Sequence, residues 1–340
     1  MASKRRQLVI GTLISLVLLG WVLMQTDWAL VWARLREANY LLLAAGGAAI
    51  GVSIGMRAWR WTIMLEPEAP ARPIATLFDA VNIGYLANNL LPARLGDLLR
   101  AYLAKEWTTA SAPFALSTTV VERLLDTLLI ILMLLALLPI LPVPDWAVRG
   151  GLLLGAVVTG VALLLTVAAA NRTRIEPLLL RLMRPLPLDH ARWSDRLLSL
   201  LDGFALARQP HRLLRVLAVS IGVWGFAVVA YWLIFRAFGL DPLGLTSAIF
   251  VLALGALSMG APSAPSAAGT FDAAATWALT LLGVAENLAG GVALVIHIVN
   301  FIVVTLLGLW SLLRRGLSLS DLGAIGKDEP MSTPRSPRSG

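Results

Sequence analysis

The chain has 340 residues, of which 58% are hydrophobic and only 14% are charged, and its mean hydropathy is +0.78. Soluble domains carry about 25% charged residues, so this composition excludes a sizeable soluble catalytic domain and indicates an integral membrane protein. The net charge is +8, but the cations lie between apolar runs, as in membrane-protein loops, and we expect no nucleic-acid partner. Without Cys and with three scattered His residues, we also expect no metal and no cofactor.

Apolar runs and their breaks divide the chain into spans, surface segments and two broken hairpins. In order, we predict spans over 8–24 and 40–56 separated by an amphipathic segment over 27–39, a hairpin over 74–107, spans over 113–138 and 150–170, a cytoplasmic amphipathic segment over 171–215, a span over 217–235, a hairpin over 248–282, a span over 288–313, and a disordered cytoplasmic tail over 327–340. This predicts an all-α membrane protein with about six full spans and two re-entrant broken-helix hairpins.

The cations predict the orientation of these spans. Basic residues precede the first span, the segment over 171–215 holds nine Arg, and Arg314 and Arg315 end the last span. Because cytoplasmic loops carry an excess of Lys and Arg, both termini are predicted to be cytoplasmic, and the compartment is predicted to be a bacterial-type cytoplasmic membrane.

The first hairpin has the composition of an anion site. Its break holds Arg94, Gly96 and Asp97, and Arg100 follows in the first turn of the next helix, whose N–H groups attract anions. The alternative is that the two Arg residues only anchor the hairpin at the interface. The candidate headgroup-binding residues are Asn88, Asn89, Arg94, Gly96, Asp97 and Arg100, with Arg57 and Arg60 from the end of the second span.

Three ionisable residues, Glu122, Arg123 and Asp126, lie in the otherwise apolar span over 113–138. An unpaired charge at membrane depth costs at least about 2.5–3.5 kcal/mol, so this group is a candidate coupling network. A structural ion-pair brace is the alternative. Arg123 neutralises only one carboxylate locally, so the other needs a cation from a neighbouring element: Arg57, Arg60, Arg94 or Arg100.

The second hairpin contains the candidate outward gate, formed by Pro265, Gly269 and Asp272. Its Pro-x-x-x-Gly spacing matches the break of the first hairpin, which predicts one polytopic domain over 1–326 built from inverted repeat halves over 8–138 and 148–315. His297 and Asn300 are interpreted as packing partners in the last span. No catalytic triad motif is found along the chain.

The order of these motifs resembles a known family. Arg57-x-x-Arg60-Trp61, the block from Asn88 to Arg100 and Glu122-Arg123-x-x-Asp126 are similar to the flippase-like transmembrane region of lysylphosphatidylglycerol synthetase. The resemblance spans about residues 8–315. It does not extend to the family's soluble aminoacyl-transferase domain, so synthetase activity is not expected. It implies a lipid flippase, with a membrane lipid such as an anionic phospholipid or a polyprenyl phosphate as substrate. A membrane enzyme that modifies a lipid or glycan, and a non-catalytic scaffold for envelope lipid synthesis, remain alternatives, and we expect a transporter rather than an enzyme.

Overall fold

The computed structural model describes residues 2–70, 74–91, 95–137, 139–141, 145–183, 198–260 and 264–319, and these residues are helical with no strand. The helices are α1 (Ala2–Gln25), α2 (Trp28–Glu37), α3 (Tyr40–Leu65), α4 (Ile74–Leu90), α5 (Leu95–Trp107), α6 (Ala112–Leu137), α7 (Asp145–Ala170), α8 (Arg172–Met183), α9 (Pro210–Ala237), α10 (Leu245–Ser258), α11 (Thr270–Leu281) and α12 (Glu286–Arg314). Short 3₁₀ turns lie at Gly203–Arg208 and Pro265–Ala267. The predicted tail over 327–340 lies outside the described residues.

Four of the described helices, α3, α7, α9 and α12, are long and apolar enough to cross a membrane. A fifth candidate span is the end of α1 joined to α2, with a bend of 75° between them. Helix α6 is also 26 residues long, but it carries three ionisable side chains. The chain is therefore an all-helical, multi-pass membrane protein.

Helix α3 continues to Leu65, nine residues beyond the predicted end of the second span. No helix-breaking residue occurs before Pro67, so a basic stretch alone does not end the helix. Arg57, Arg60 and Trp61 therefore lie inside the helix, and Arg60 and Trp61 are buried.

The chain divides into two compact units, which are described separately. The first unit contains residues 1–55, 78–100 and 223–340. Within it, α11 packs on α10, α12 and α1, and α12 also contacts α1 and α2. A core cluster joins α3, α9 and α12, and its buried members are Ala49, Ile50, Ile54, Ala230 and Val304.

The second unit contains residues 56–77 and 101–222. Helix α6 packs against α7 and against the 3₁₀ turn at Gly203–Arg208. Ser117 fastens that turn, because its Oγ accepts the Gly203 N–H at 3.0 Å. A Cβ at Gly203 would lie 2.1 Å from the same Oγ, so the turn meets α6 only where the residue is glycine.

A buried carboxylate holds the end of α12 in the first unit. Asp79 is fully buried on α4, and its two oxygens accept from Arg314 Nη2 and Arg315 Nε, each at 2.6 Å. The Arg314 guanidinium lies 4.6 Å from the centre of the Trp310 ring, which meets Phe78 edge-on. The two cations that end the last helix are therefore also partners of a buried anion.

We expect Asp79→Asn to lower the free energy of unfolding by about 2–4 kcal/mol, because it removes the anion that two cations share. The measurement is the thermal unfolding midpoint of the purified protein in detergent. Asp241→Asn is the matched control, since its pair with Arg236 at 3.0 Å is exposed and is worth less than about 1 kcal/mol. Equal shifts for the two variants would contradict this role of Asp79.

Candidate functional site

A buried charge network joins α3 and α6 in the second unit. The i, i+3 spacing of Arg57 and Arg60 puts both on one face of α3, and the i, i+4 spacing of Glu122 and Asp126 does the same on α6. Arg60, Glu122 and Asp126 are at most 5% exposed, and Arg60 and Glu122 are fully buried. The sequence predicted that one of the two carboxylates needs a cation from another element, and the structure places Arg57 and Arg60 beside both.

Arg60 binds both carboxylates. Its Nη1 donates to Asp126 Oδ1 at 2.6 Å, and its Nη2 donates to Asp126 Oδ2 at 3.0 Å and to Glu122 Oε1 at 2.9 Å. The contact with Asp126 is the bidentate fork that guanidinium and carboxylate planes favour. One guanidinium thus orients two anions that would otherwise repel each other.

Arg57 is a second cation on the same carboxylate. Its Nη1 donates to Asp126 Oδ2 at 3.1 Å, and its side chain is 15% exposed whereas that of Arg60 is 0% exposed. Arg123 is half-buried on α6 beside these residues. The network therefore contains one enclosed cation and one that reaches partly out of the protein.

Hydroxyl groups complete the surroundings of the network. Ser220 on α9 accepts from Arg60 Nη1 at 2.8 Å and donates to the Val216 carbonyl at 2.8 Å. The Trp61 indole donates to Thr118 Oγ1 at 3.0 Å, one turn before Glu122 on α6. These hydroxyls have no distinguishing signal in the sequence, since Ser and Thr are common in membrane helices and only the fold brings them to the charges.

The first hairpin, in the other unit, is built on two glycines. A Cβ at Gly96 would lie 1.9 Å from the Gly84 carbonyl, so α4 and α5 approach closely only with glycine there. Asn88 Oδ1 accepts the Gly96 N–H at 2.9 Å, and Asn88 Nδ2 donates to Asp97 at 3.2 Å. One of the N–H groups expected to meet an anion is therefore already bonded by Asn88. Arg94 lies outside the described residues.

Further polar groups lie along the same hairpin. Arg100 is 1% exposed, and its Cβ packs on the position of Gly84. Asn89 Nδ2 and Tyr85 Oη, one helical turn apart on α4, are buried and have no hydrogen-bond partner within the described residues. Buried polar atoms are normally bonded, so these two groups indicate a place for a polar ligand or water. Tyr85 was not among the sequence candidates because a single Tyr in an apolar run has no distinguishing spacing.

The second hairpin is closed by Asp272. This residue is 1% exposed, and its Oδ2 accepts the Gly269 N–H at 2.9 Å, which caps the start of α11. Gly269 has φ of +86°, and a Cβ there would lie 2.0 Å from the Ser15 carbonyl of α1. The other oxygen, Oδ1, lies 2.9 Å from His297 Nδ1. Pro265 opens the 3₁₀ turn that precedes this cap.

No group of three or more His, Asp or Glu side chains within the described ranges is arranged to hold a metal ion. The described chemistry is therefore that of ion pairs, hydroxyls and helix termini.

Comparison with known proteins places this geometry in context. A model of the family described as lysylphosphatidylglycerol synthase TM region matches residues 8–308. A UPF0104 membrane protein of Methanothermobacter thermautotrophicus is 24% identical over 305 residues, which cover 84% of this chain and 89% of the relative. Glycosyltransferase AglD of Haloferax volcanii is 29% identical over 128 residues, which are 38% of this chain and 20% of AglD. No solved structure matches.

We expect Arg60→Met to lower the free energy of unfolding by about 3–5 kcal/mol, because it removes the cation that two buried carboxylates share. Met has a similar length and is apolar, so the loss of stability would come from the missing charge rather than from a change in side-chain volume. The measurement is thermal unfolding in detergent followed by Trp fluorescence.

The double variant Arg60→Met, Glu122→Gln is the control for this prediction. It leaves Asp126 beside Arg57 and removes the second carboxylate charge, so it should be more stable than Arg60→Met alone. A double variant that is less stable than the single one would show that charge balance does not govern this network.

Proposed function

The chain belongs to the lysylphosphatidylglycerol synthase transmembrane-region family, and we propose that it moves a phosphate-bearing lipid or lipid-linked intermediate across the cytoplasmic membrane. The observation that carries this proposal is the buried network of Arg57, Arg60, Glu122 and Asp126. Ionisable groups inside a membrane helix bundle are expensive and typically mark a transport pathway. The membrane-lipid connection of the family supports a lipid as the substrate.

Arg57 is the proposed exchangeable cation of the network. It shares Asp126 with Arg60, whose two contacts with that carboxylate at 2.6 and 3.0 Å remain when Arg57 changes partner. Arg57 is also the more exposed of the two. A lipid phosphate that displaces Asp126 as the partner of Arg57 therefore leaves no buried carboxylate without a cation, and guanidinium binds phosphate in the same bidentate way.

The first hairpin is the proposed headgroup site. Arg94 and Arg100 supply positive charge, Asn89 supplies a buried donor, and the start of α5 supplies the positive end of a helix dipole. Asn88 and Asp97 hold the turn in place through their bonds near Gly96. The bonded Gly96 N–H means that the side chains rather than this peptide group are the proposed phosphate donors.

The proposed architecture has six full spans, cytoplasmic termini, and two hairpins that belong to inverted halves over 8–138 and 148–315. Paired broken helices at corresponding positions are typical of transporters, and the second hairpin at Pro265, Gly269 and Asp272 would serve as the opposite gate. The Pro-x-x-x-Gly spacing of both hairpins and the close glycine contact in each support this arrangement.

A membrane enzyme that modifies a lipid or glycan is the second candidate function. The observation that favours it is the match to AglD, which is named a glycosyltransferase. That match covers a fifth of AglD, so the lipid-transport proposal takes precedence.

The experiment that tests lipid transport uses proteoliposomes. Fluorescent phospholipids and polyprenyl phosphates are incorporated, and the accessibility of their headgroups from outside is followed over time. We expect protein-dependent exchange that Arg94→Ala slows by about tenfold or more, since a charge-assisted phosphate contact is worth about 1.5–3 kcal/mol. Arg236→Ala is the matched control, because Arg236 is exposed and pairs with Asp241.

No exchange of any of these lipids by folded protein would contradict the transport proposal and would favour the enzyme or scaffold. If Arg94→Ala and Arg236→Ala slow lipid exchange equally, that result would contradict the proposed headgroup site but not the transport proposal.

We expect Arg57→Gln to slow the same exchange about tenfold while lowering the unfolding midpoint less than Arg60→Met does, because Arg57 is partly exposed and Asp126 keeps both contacts with Arg60. The unfolding midpoint and the exchange rate are measured on the same preparation. Full exchange by Arg57→Gln would show that the network is a structural brace.

A further inference from the structure

Two side chains of the second hairpin and one of α12 form a chain of hydrogen bonds in the first unit. Ser266 Oγ lies 3.0 Å from His297 Nε2, and His297 Nδ1 lies 2.9 Å from Asp272 Oδ1. Asp272 is in turn held by the Gly269 N–H at 2.9 Å. Ser266 Oγ corresponds to the nucleophile of a serine triad, and the two ring nitrogens of His297 correspond to those of the general base. The Asp272 carboxylate corresponds to the carboxylate that orients the base.

The burial of these residues agrees with those roles. The Asp272 side chain is 1% exposed and the His297 side chain is 13% exposed, while Ser266 is half-buried. The carboxylate is therefore enclosed, and the hydroxyl is at the accessible end of the relay. The edge-on contact of His297 with Phe271, at 5.1 Å between ring centres, restricts the orientation of the imidazole.

The backbone at Ser266 is strained. Ser266 has φ of +60° and Ala267 has φ of +57°, and both residues carry a Cβ that disfavours this region. Strained non-glycine residues persist where the surrounding structure holds them, often at functional sites. A Ser in a strained turn just before a helix is also the arrangement that presents the nucleophile in α/β-hydrolases, and α11 begins four residues after Ser266.

Exposed apolar side chains lie on the helices that contact this relay. His297 lies eleven residues into α12, about 16 Å from its start at 1.5 Å per residue and so well inside a bilayer core about 30 Å thick. Ile298 and Ile302, which follow it on α12, are 52% and 48% exposed. Ser15 of α1 accepts the Ala264 N–H of the hairpin, and the next residues of α1, Leu16 and Val17, are also exposed. Exposed apolar side chains on membrane-length helices are expected to contact lipid, so membrane lipids are the substrate class that we assign to the relay.

We propose that Ser266 is an activated nucleophile that takes an acyl group from an ester of a membrane lipid, with His297 as general base and Asp272 as the residue that positions His297. This activity goes beyond lipid transport and rests on the contacts of the second hairpin with His297 of α12. Ser266 Oγ attacks the ester carbonyl and gives its proton to His297 Nε2. The C–O bond to the lipid alcohol breaks, and that alcohol leaves with the proton from His297. An acyl-serine ester remains, and a hydroxyl group from water or a second lipid then releases the acyl group and restores Ser266.

The developing negative charge on the carbonyl oxygen needs donors near Ser266. The Ala267 N–H donates to the Ala264 carbonyl inside the turn, so this peptide group is engaged. The first N–H groups of α11 have no acceptor within the helix, and the start of a helix favours negative charge. The start of α11 is therefore the proposed oxyanion site.

The test is covalent labelling of the purified full-length protein in detergent with an alkyl fluorophosphonate, which reacts with activated serines. We expect modification at Ser266, located by mass spectrometry of the labelled peptide. His297→Gln and Asp272→Asn should slow labelling by about 100-fold or more through loss of the base or of its orientation, while the unfolding midpoint of Asp272→Asn stays close to wild type because Asn still accepts the Gly269 N–H.

Two control variants keep the test independent of folding. Ser266→Gly suits the positive φ, so it should abolish labelling and raise the unfolding midpoint. Ser258→Ala removes a hydroxyl on α10 that donates to the Gly255 carbonyl, and it should leave labelling unchanged. If folded wild-type protein carries no label at Ser266, or is labelled equally at Ser258, the assignment of Ser266 as the nucleophile is overturned.

The chain length of the probe tests the substrate class. A long-chain fluorophosphonate should label Ser266 faster than a short-chain, water-soluble one, because the proposed substrate is the ester of a membrane lipid. Faster labelling by the short-chain probe would overturn the assignment to lipid esters.

Discussion

A guanidinium group that is fully removed from solvent must have its charge matched by nearby anions, and Arg60 imposes this constraint on the second unit. Its two carboxylate partners lie on α6 and its hydroxyl partner lies on α9, so three helices meet at one side chain. Leaving such a charge unpaired costs several kcal/mol, so the register of α6 against α3 is specified at Glu122 and Asp126. The apolar residues around the network fill space, but they do not by themselves select that register.

The same constraint separates the two cations of the network. Arg60 is enclosed and binds both carboxylates, whereas Arg57 reaches partly out of the protein and binds one of them. Removal of the enclosed cation leaves two anions to be compensated, whereas displacement of the outer one leaves Asp126 with its fork to Arg60. In the proposed transport function, this difference assigns the structural role to Arg60 and the substrate-exchanging role to Arg57.

Both hairpins close by giving a polar side chain to the N–H of a glycine, but the side chain has a different origin in each. Asn88 belongs to the helix that precedes Gly96, and it also bonds Asp97. Asp272 belongs to the helix that follows Gly269, and its second oxygen holds His297. The first turn is therefore fastened within the hairpin itself, while the second is fastened to α12. The two hairpins thus share a Pro-x-x-x-Gly spacing but hold their turns with different hydrogen bonds.

Composition and apolar run length alone determined that this is an all-helical membrane protein, because apolar runs of membrane length are properties of neighbouring residues. The order of the motifs from Arg57 to Asp126 indicated the family by resemblance, and the match over residues 8–308 shows it. The need of one of the carboxylates Glu122 and Asp126 for a cation from another element was also predictable, because both lie in an apolar run with only Arg123 nearby in sequence. Only the tertiary structure decided that Arg57 and Arg60 are close to them, and that Ser266, Asp272 and His297 form a relay. These contacts join residues 25 to 69 positions apart, and the free energy that selects them comes from packing and charge pairing between helices rather than from local sequence.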